Sequence, residues 1–220
     1  MKTAIVIGAT GLTGSILVQK LLKDSRFEKV IVLVRTTTDI QHERLEEHIV
    51  DFADTDRFKK IIQGDVLFSA LGTTRAKAGS KAEQYRIDYT YQYNIARIAA
   101  ANGVARYVLI SSAGADAQSS FFYQKMKGSL EAEIKKLPFE TIHIIQPGML
   151  TGNRKEKRFG ETIGLTLMRL LGGINALKPF APIEASVVAR AMISATFRQV
   201  VGIHNYGNKE IAQLAALTSK

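Results

Sequence analysis

Apolar residues along this chain fall into short continuous runs separated by longer stretches at helical spacing. The runs at 3–7, 29–35, 65–71, 106–110 and 139–145 read as strands buried on both faces, with another short strand near His48-Ile49-Val50. Between them, 11–23 reads as a helix with Leu12, Ile16, Leu17, Leu21 and Leu22 inward. A short helix is expected at 55–62, a long one at 80–101 ending at Asn102-Gly103, and another at 119–137. Strand and helix alternation of this kind predicts an α/β fold: a Rossmann-type doubly wound parallel sheet.

After Pro147-Gly148 the rhythm changes. A loop at 151–160, a helix at 161–171, a Gly172-Gly173 break and Pro179 and Pro182 precede a helix at 184–198, a strand near 201–206 and a terminal helix. Residues 149–183 therefore read as a small C-terminal substrate or lid region, within a single domain spanning 1–220. The composition, 46% hydrophobic in 220 residues, suits one such core.

The first strand runs into Gly8-Ala9-Thr10-Gly11-Leu12-Thr13-Gly14 and straight into a helix. Gly8 allows a tight turn, Gly11 lets backbone approach a diphosphate, and Gly14 lets helix and sheet pack closely. Amides at the helix start then face an anion. The second strand ends in Arg35-Thr36-Thr37-Thr38 where a ribose-binding carboxylate would mark NAD. A guanidinium with nearby hydroxyls suits a 2′-phosphate, so NADP(H) is expected over NAD(H). By position in such a fold, Asp51-Phe52 would meet the adenine, and Ala70-Leu71-Gly72 the diphosphate and ribose.

The fifth strand ends in Ser111-Ser112, and Tyr123 and Lys127 follow at i and i+4 on a helix. Such a lysine can lower a tyrosine's pKa and hold the nicotinamide ribose. The tyrosine can exchange a proton with a carbonyl oxygen to which the serine hydrogen-bonds. Tyr-x-x-x-Lys is common by chance; the order of motifs gives it weight.

Those motifs, with Gln146-Pro147-Gly148, resemble the atypical short-chain dehydrogenase/reductases over about residues 3–205. Leu71-Gly72-Thr73-Thr74-Arg75-x-Lys77-Ala78-Gly79 is similar to the Tat-interacting-oxidoreductase-like branch. The resemblance implies an NADP(H)-binding Rossmann domain, with Ser112 as catalytic hydroxyl, Tyr123 as acid/base, Lys127 as helper and Pro147 beside the cofactor. Two positions depart from the wider pattern: Asp88 stands where many members carry asparagine, and Gln146 where an arginine is common.

The chain lacks cysteine, which excludes disulfides and thiolate chemistry. It has no Walker sequence and no Gly-x-Ser-x-Gly elbow, and His42, His48, His143 and His204 lack metal-ligand spacing; His143 reads as a satisfied core histidine. The net charge of +10 favours anionic partners without naming one. Arg154-Lys155-Glu156-Lys157-Arg158 adds a basic run, read first as a solvated loop and otherwise as a contact for an acidic substrate or the cofactor phosphate. The apolar 162–171 stretch reads first as a buried lid or dimer face and otherwise as a greasy substrate mouth or membrane contact beside the basic residues.

The expectation is an NADP(H)-dependent oxidoreductase acting on a carbonyl/alcohol pair, with a small-molecule substrate and no metal. Neither nucleic-acid nor membrane contact is expected, and the chain would be a monomer or homodimer. No signal peptide is read, so a cytoplasmic location is expected. A non-catalytic, NADP(H)-sensing regulatory protein that binds a partner stays open beside the enzyme.

Overall fold

The computed structural model describes residues 1–152 and 178–217. Seven strands form one parallel sheet: β1 Lys2–Ile7, β2 Phe27–Val34, β3 Leu45–Ile49, β4 Val66–Ser69, β5 Arg106–Ile110, β6 Thr141–Ile145 and, at the far edge, β9 Gly202–Tyr206. Their order is β3-β2-β1-β4-β5-β6-β9. Two further strands, β7 Leu150–Thr151 and β8 Ile183–Glu184, pair in parallel as a separate small sheet.

Alternate strand residues point to opposite faces, so each strand feeds two cores. Ala4 and Val6 of β1 join one cluster with Leu17, Val18 and Leu21 of helix α1 (Leu12–Lys23). Ile5 and Ile7 join the other, against Ile95 and Ala99. On the α1 face also lie α6 (Ala185–Thr196), through Val188 and Met192, and α7 (Asn208–Ala216), through Ile211 and Leu214. The opposite face is covered by α4 (Gln92–Ala101) and α5 (Phe122–Ile134). Both faces are thereby dry over the inner strands, which is why β1 and β4 are nearly all apolar, while the edge strands β3 and β9 carry polar residues and are partly exposed. Leu12 and Ile16, expected inward, are only half-buried.

Three expectations need correction. The 55–62 helix is two short 3₁₀ turns, Thr55–Arg57 and Lys59–Ile61. The strand near 48–50 lies slightly earlier, at Leu45–Ile49, because its register against β2 starts at Val30↔Leu45. The single helix at 80–101 is α3 (Lys81–Tyr85), a π-helical turn (Arg86–Tyr91) and α4, preceded by the four-residue α2 (Arg75–Ala78). At the π-helical turn the Gln92 Nε2 donates to the Asp88 carbonyl at 2.6 Å, while its Oε1 accepts from Ser69 Oγ, on β4, at 2.7 Å. Such turns recur at functional sites.

The basic run 154–158, the helix expected at 161–171 and the Gly172-Gly173 break lie outside the described residues. His143 is fully buried, but only half satisfied. Its Nδ1 lies 3.1 Å from the Tyr206 hydroxyl, while its Nε2 has no partner among the described residues.

Candidate functional site

The reversal of strand order between β1 and β4 opens a crevice beyond their C-terminal ends. Gly8 holds φ +81° there, and a Cβ on it would lie 2.4 Å from the backbone of Ala70 and Leu71. The two strand ends therefore touch through bare backbone. A Cβ on Gly14 would lie 2.0 Å from the Gly8 carbonyl oxygen, so α1 sits directly on the turn. Gly11 is the N-cap of α1 and offers no side-chain cap, and the first turn carries no acidic residue. The amides at this helix start, with the positive end of the helix dipole, are thus left for an external anion. Thr13 Oγ1 is buried nearby in sequence without a partner among the described residues.

A cleft of about 690 Å³ lies over this turn. Of the expected cofactor residues it is lined by Gly8, Thr10, Gly11, Arg35, Ala70, Leu71 and Gly72. It is also lined by Thr73, Lys77, Ala78, Glu83 and Ile87, which the sequence reading did not select. The Thr73–Gly79 motif was visible there, but as a branch signature without a task. Leu12, Thr13 and Gly14 form the helix start and do not line the cleft. Asp51 is exposed, its carboxylate accepting from the Ala53 amide at 2.9 Å. The Phe52 ring is buried in the core, stacked on Tyr91 at 5.8 Å, and so does not face the cleft.

The hydroxyls expected to assist Arg35 are largely committed elsewhere. Thr38 donates through both its amide, at 2.8 Å, and its hydroxyl, at 2.5 Å, to Glu47 of β3. Thr37 Oγ1 accepts from the Asp39 amide at 3.1 Å. Burial pushes the Glu47 carboxyl up, but the bonds from Thr38 and Thr37 outweigh it and leave the group below the usual carboxylate range. Glu47 anchors the loop, and exposed Arg35 is the group it presents to the cleft.

On the other side, β5 delivers Ser111 and Ser112. Ser112 is half-buried, and its hydroxyl donates to the Ala113 carbonyl at 3.2 Å. Ser111 Oγ is buried with no partner among the described residues, a hydroxyl for which the sequence reading gave no role. The end of β6 is tied to this loop, since buried Pro147 accepts from the Ala113 amide at 2.8 Å. Helix α5 lies on the same loop: a Cβ on Gly128 would sit 2.2 Å from the backbone of Asp116 and Ala117. This packing buries Lys127 to 3% exposure while Tyr123, one turn earlier, stays 42% exposed. Lys127 has no ion pair among the described residues, so a buried ammonium is available to a polar ligand. Ser112, Tyr123, Lys127 and Pro147 do not line the 690 Å³ cleft.

Both departures from the family pattern have structural work. Asp88 is 1% exposed and its Oδ1 accepts from the Thr73 amide at 2.7 Å, beside Gly72. Gln146 Nε2 donates to both oxygens of buried Glu131, at 2.9 and 3.1 Å, with Lys135 3.7 Å away. Gln146 thus satisfies a carboxylate of α5, where an arginine would have brought a charge.

The residues present fit a dinucleotide: bare backbone at the turn, uncapped amides, cations on the cleft wall and a buried lysine with no ion pair among the described residues. Comparison with known proteins agrees. The NAD(P)H-binding family model matches residues 8–163. "Protein FMP52, mitochondrial" of Candida albicans is 36% identical over 206 residues, 91% of this chain and 90% of that protein. "Protein HTATIP2" of Rattus norvegicus is 37% identical over 164 residues, 73% of this chain and 67% of that protein. A short-chain dehydrogenase/reductase superfamily protein from Agrobacterium tumefaciens, solved with bound NAD, superposes with a TM-score of 0.72 at 13% identity, over 99% of this chain and 82% of that one. The cytoplasmic expectation is overturned by these names, since the relatives from Candida albicans, Aspergillus niger and Emericella nidulans are all named as mitochondrial. A lack of cysteine bears on redox chemistry and does not choose a compartment.

Proposed function

The chain belongs to the NAD(P)H-binding family and has a Rossmann fold, and on that premise we propose that it is an atypical short-chain dehydrogenase/reductase, an NADP(H)-dependent oxidoreductase for a carbonyl/alcohol pair. One observation carries the reading: the cleft at the β1/β4 switch point joins an uncapped helix start to Arg35, with no carboxylate at the end of β2. Its walls suit a diphosphate bridge and a 2′-phosphate.

The dinucleotide, when bound, supplies or accepts the hydride. Gly8, Gly11 and the first amides of α1, in Leu12, Thr13 and Gly14, receive its diphosphate, and Arg35 its 2′-phosphate. Ala70, Leu71 and Gly72 line the adjoining ribose. Asp51, Phe52 and Pro147 lie off the cleft lining, and their assignment to the adenine and nicotinamide ends rests on position in the fold alone. Tyr123 gives its phenolic proton to the substrate oxygen as that oxygen becomes an alkoxide, or takes it back in oxidation. Ser112 donates a hydrogen bond to the same oxygen once it turns from the Ala113 carbonyl. Lys127, one turn along α5 from Tyr123, holds a ribose hydroxyl.

The test is turnover of a carbonyl library with NADPH, followed for wild type and Tyr123→Phe. Wild-type turnover that falls by about 100-fold or more in the variant, with NADPH affinity kept, supports the assignment. A second reading, a cofactor sensor that binds a partner without turnover, draws on the exposure of Tyr123, on the self-satisfied Ser112 hydroxyl and on Asp88 being committed to Thr73. NADPH binding without turnover of any carbonyl by wild type would favour it.

A further inference from the structure

The 73–79 stretch has a sequence signature but, so far, no task. Its start is anchored: the Thr73 amide donates to the buried Asp88 carboxylate at 2.7 Å. Its middle is a tight turn in which Thr74 Oγ1 accepts from the Lys77 amide at 3.2 Å. Gly79, at φ +80°, closes that turn through a bond from its amide to the Arg75 carbonyl at 2.9 Å. These bonds leave the Lys77 backbone little freedom, and Lys77 is exposed on the cleft lining.

The sheet order gives this position its meaning. Arg35 follows β2 and the Lys77 turn follows β4, the two strands that flank β1. The glycine turn after β1 therefore has a cation on each side. Glu83, on the same lining, is ion-paired with Arg86.

We propose that Lys77 is a cationic ligand for the phosphate groups of the dinucleotide, set across the glycine turn from Arg35. This rests on the reading of the cleft as a dinucleotide site and adds a residue to it. A lysine suits the role as a mobile point charge, whereas Arg35 offers a planar fork. The phosphate in question is either the diphosphate bridge, shared by NADPH and NADH, or the 2′-phosphate, present only in NADPH.

Dissociation constants for NADPH and NADH, measured at low salt on the full chain as wild type, K77Q and K77R, test this. We expect K77Q to weaken binding about tenfold and K77R to recover most of the loss, with the difference shrinking at high salt. An equal loss for both nucleotides assigns Lys77 to the diphosphate bridge; a loss confined to NADPH assigns it to the 2′-phosphate. Wild-type affinity for both nucleotides in K77Q overturns the proposal. If wild type binds neither nucleotide, the dinucleotide reading itself falls, which is a different result from a silent K77Q.

Discussion

Arg35 and Gly14 show how differently single residues act at this site. Gly14 has no room to change, because its missing Cβ would overlap the Gly8 carbonyl oxygen at 2.0 Å. Gly14→Ala must push α1 off the sheet, and we expect a loss of about 3 kcal/mol in urea unfolding. A cost below about 1 kcal/mol would mean that the helix shifts freely. Arg35, by contrast, is exposed and replaceable for folding. Arg35→Gln should leave the unfolding midpoint within error yet weaken NADPH binding by about tenfold or more, with NADH little affected. Equal weakening of both nucleotides would deny Arg35 its role at the 2′-phosphate. Glu47 was not legible as a partner of Thr38. Nothing in the chain order says that a carboxylate on β3 faces the loop after β2; the parallel register does.

At the scale of elements, β6 and β9 carry a histidine and tyrosine cluster outside the cleft. His143 and His204 are opposite each other in register, with rings 5.7 Å apart, and Tyr206 reaches His143 from two residues on. Burial first, then the nearby His204, Arg198 and Arg106, pushes the His143 imidazole down from 6.5 to about 4. A folded-state value below the unfolded one means that protonation favours the unfolded chain. Stability contributed by keeping His143 neutral is full above pH 6.5 and fades as pH falls toward 4. Between pH 7.5 and 5 the wild type should lose about 2 kcal/mol more than His143→Gln, by denaturant unfolding at each pH. Parallel pH profiles for the two proteins would show that His143 does not titrate this way. The helix at 80–101 is the other lesson at this scale. Its apolar period is helical throughout, so pattern alone could not reveal the π-helical turn, at which Gln92 reaches both Ser69 and the Asp88 carbonyl.

For the whole molecule, the cleft draws on the ends of three neighbouring strands, so a bound dinucleotide clamps β2, β1 and β4 together. NADPH at a hundredfold excess over its dissociation constant should stabilise the chain by about 2.7 kcal/mol, read as a rise in melting temperature that grows with ligand concentration. No shift with NADPH or NADH would remove the dinucleotide from the cleft. Seen at this scale, the alternation of apolar runs and helical stretches, the three-glycine turn and Arg35 in place of an acidic strand end were legible from residue order. They are local: each follows from neighbours within a turn or a strand, and burial on both sheet faces dictates the composition of the inner strands. What tertiary structure alone decided is which distant groups meet. It set Lys77 beside the glycine turn, took the Thr38 hydroxyl for Glu47, turned the Phe52 ring into the core, buried Lys127 while leaving Tyr123 exposed, and gave Asp88 to Thr73. Those outcomes depend on strand order and helix packing, in which residues far apart in sequence compete for the same hydrogen bonds and the same space.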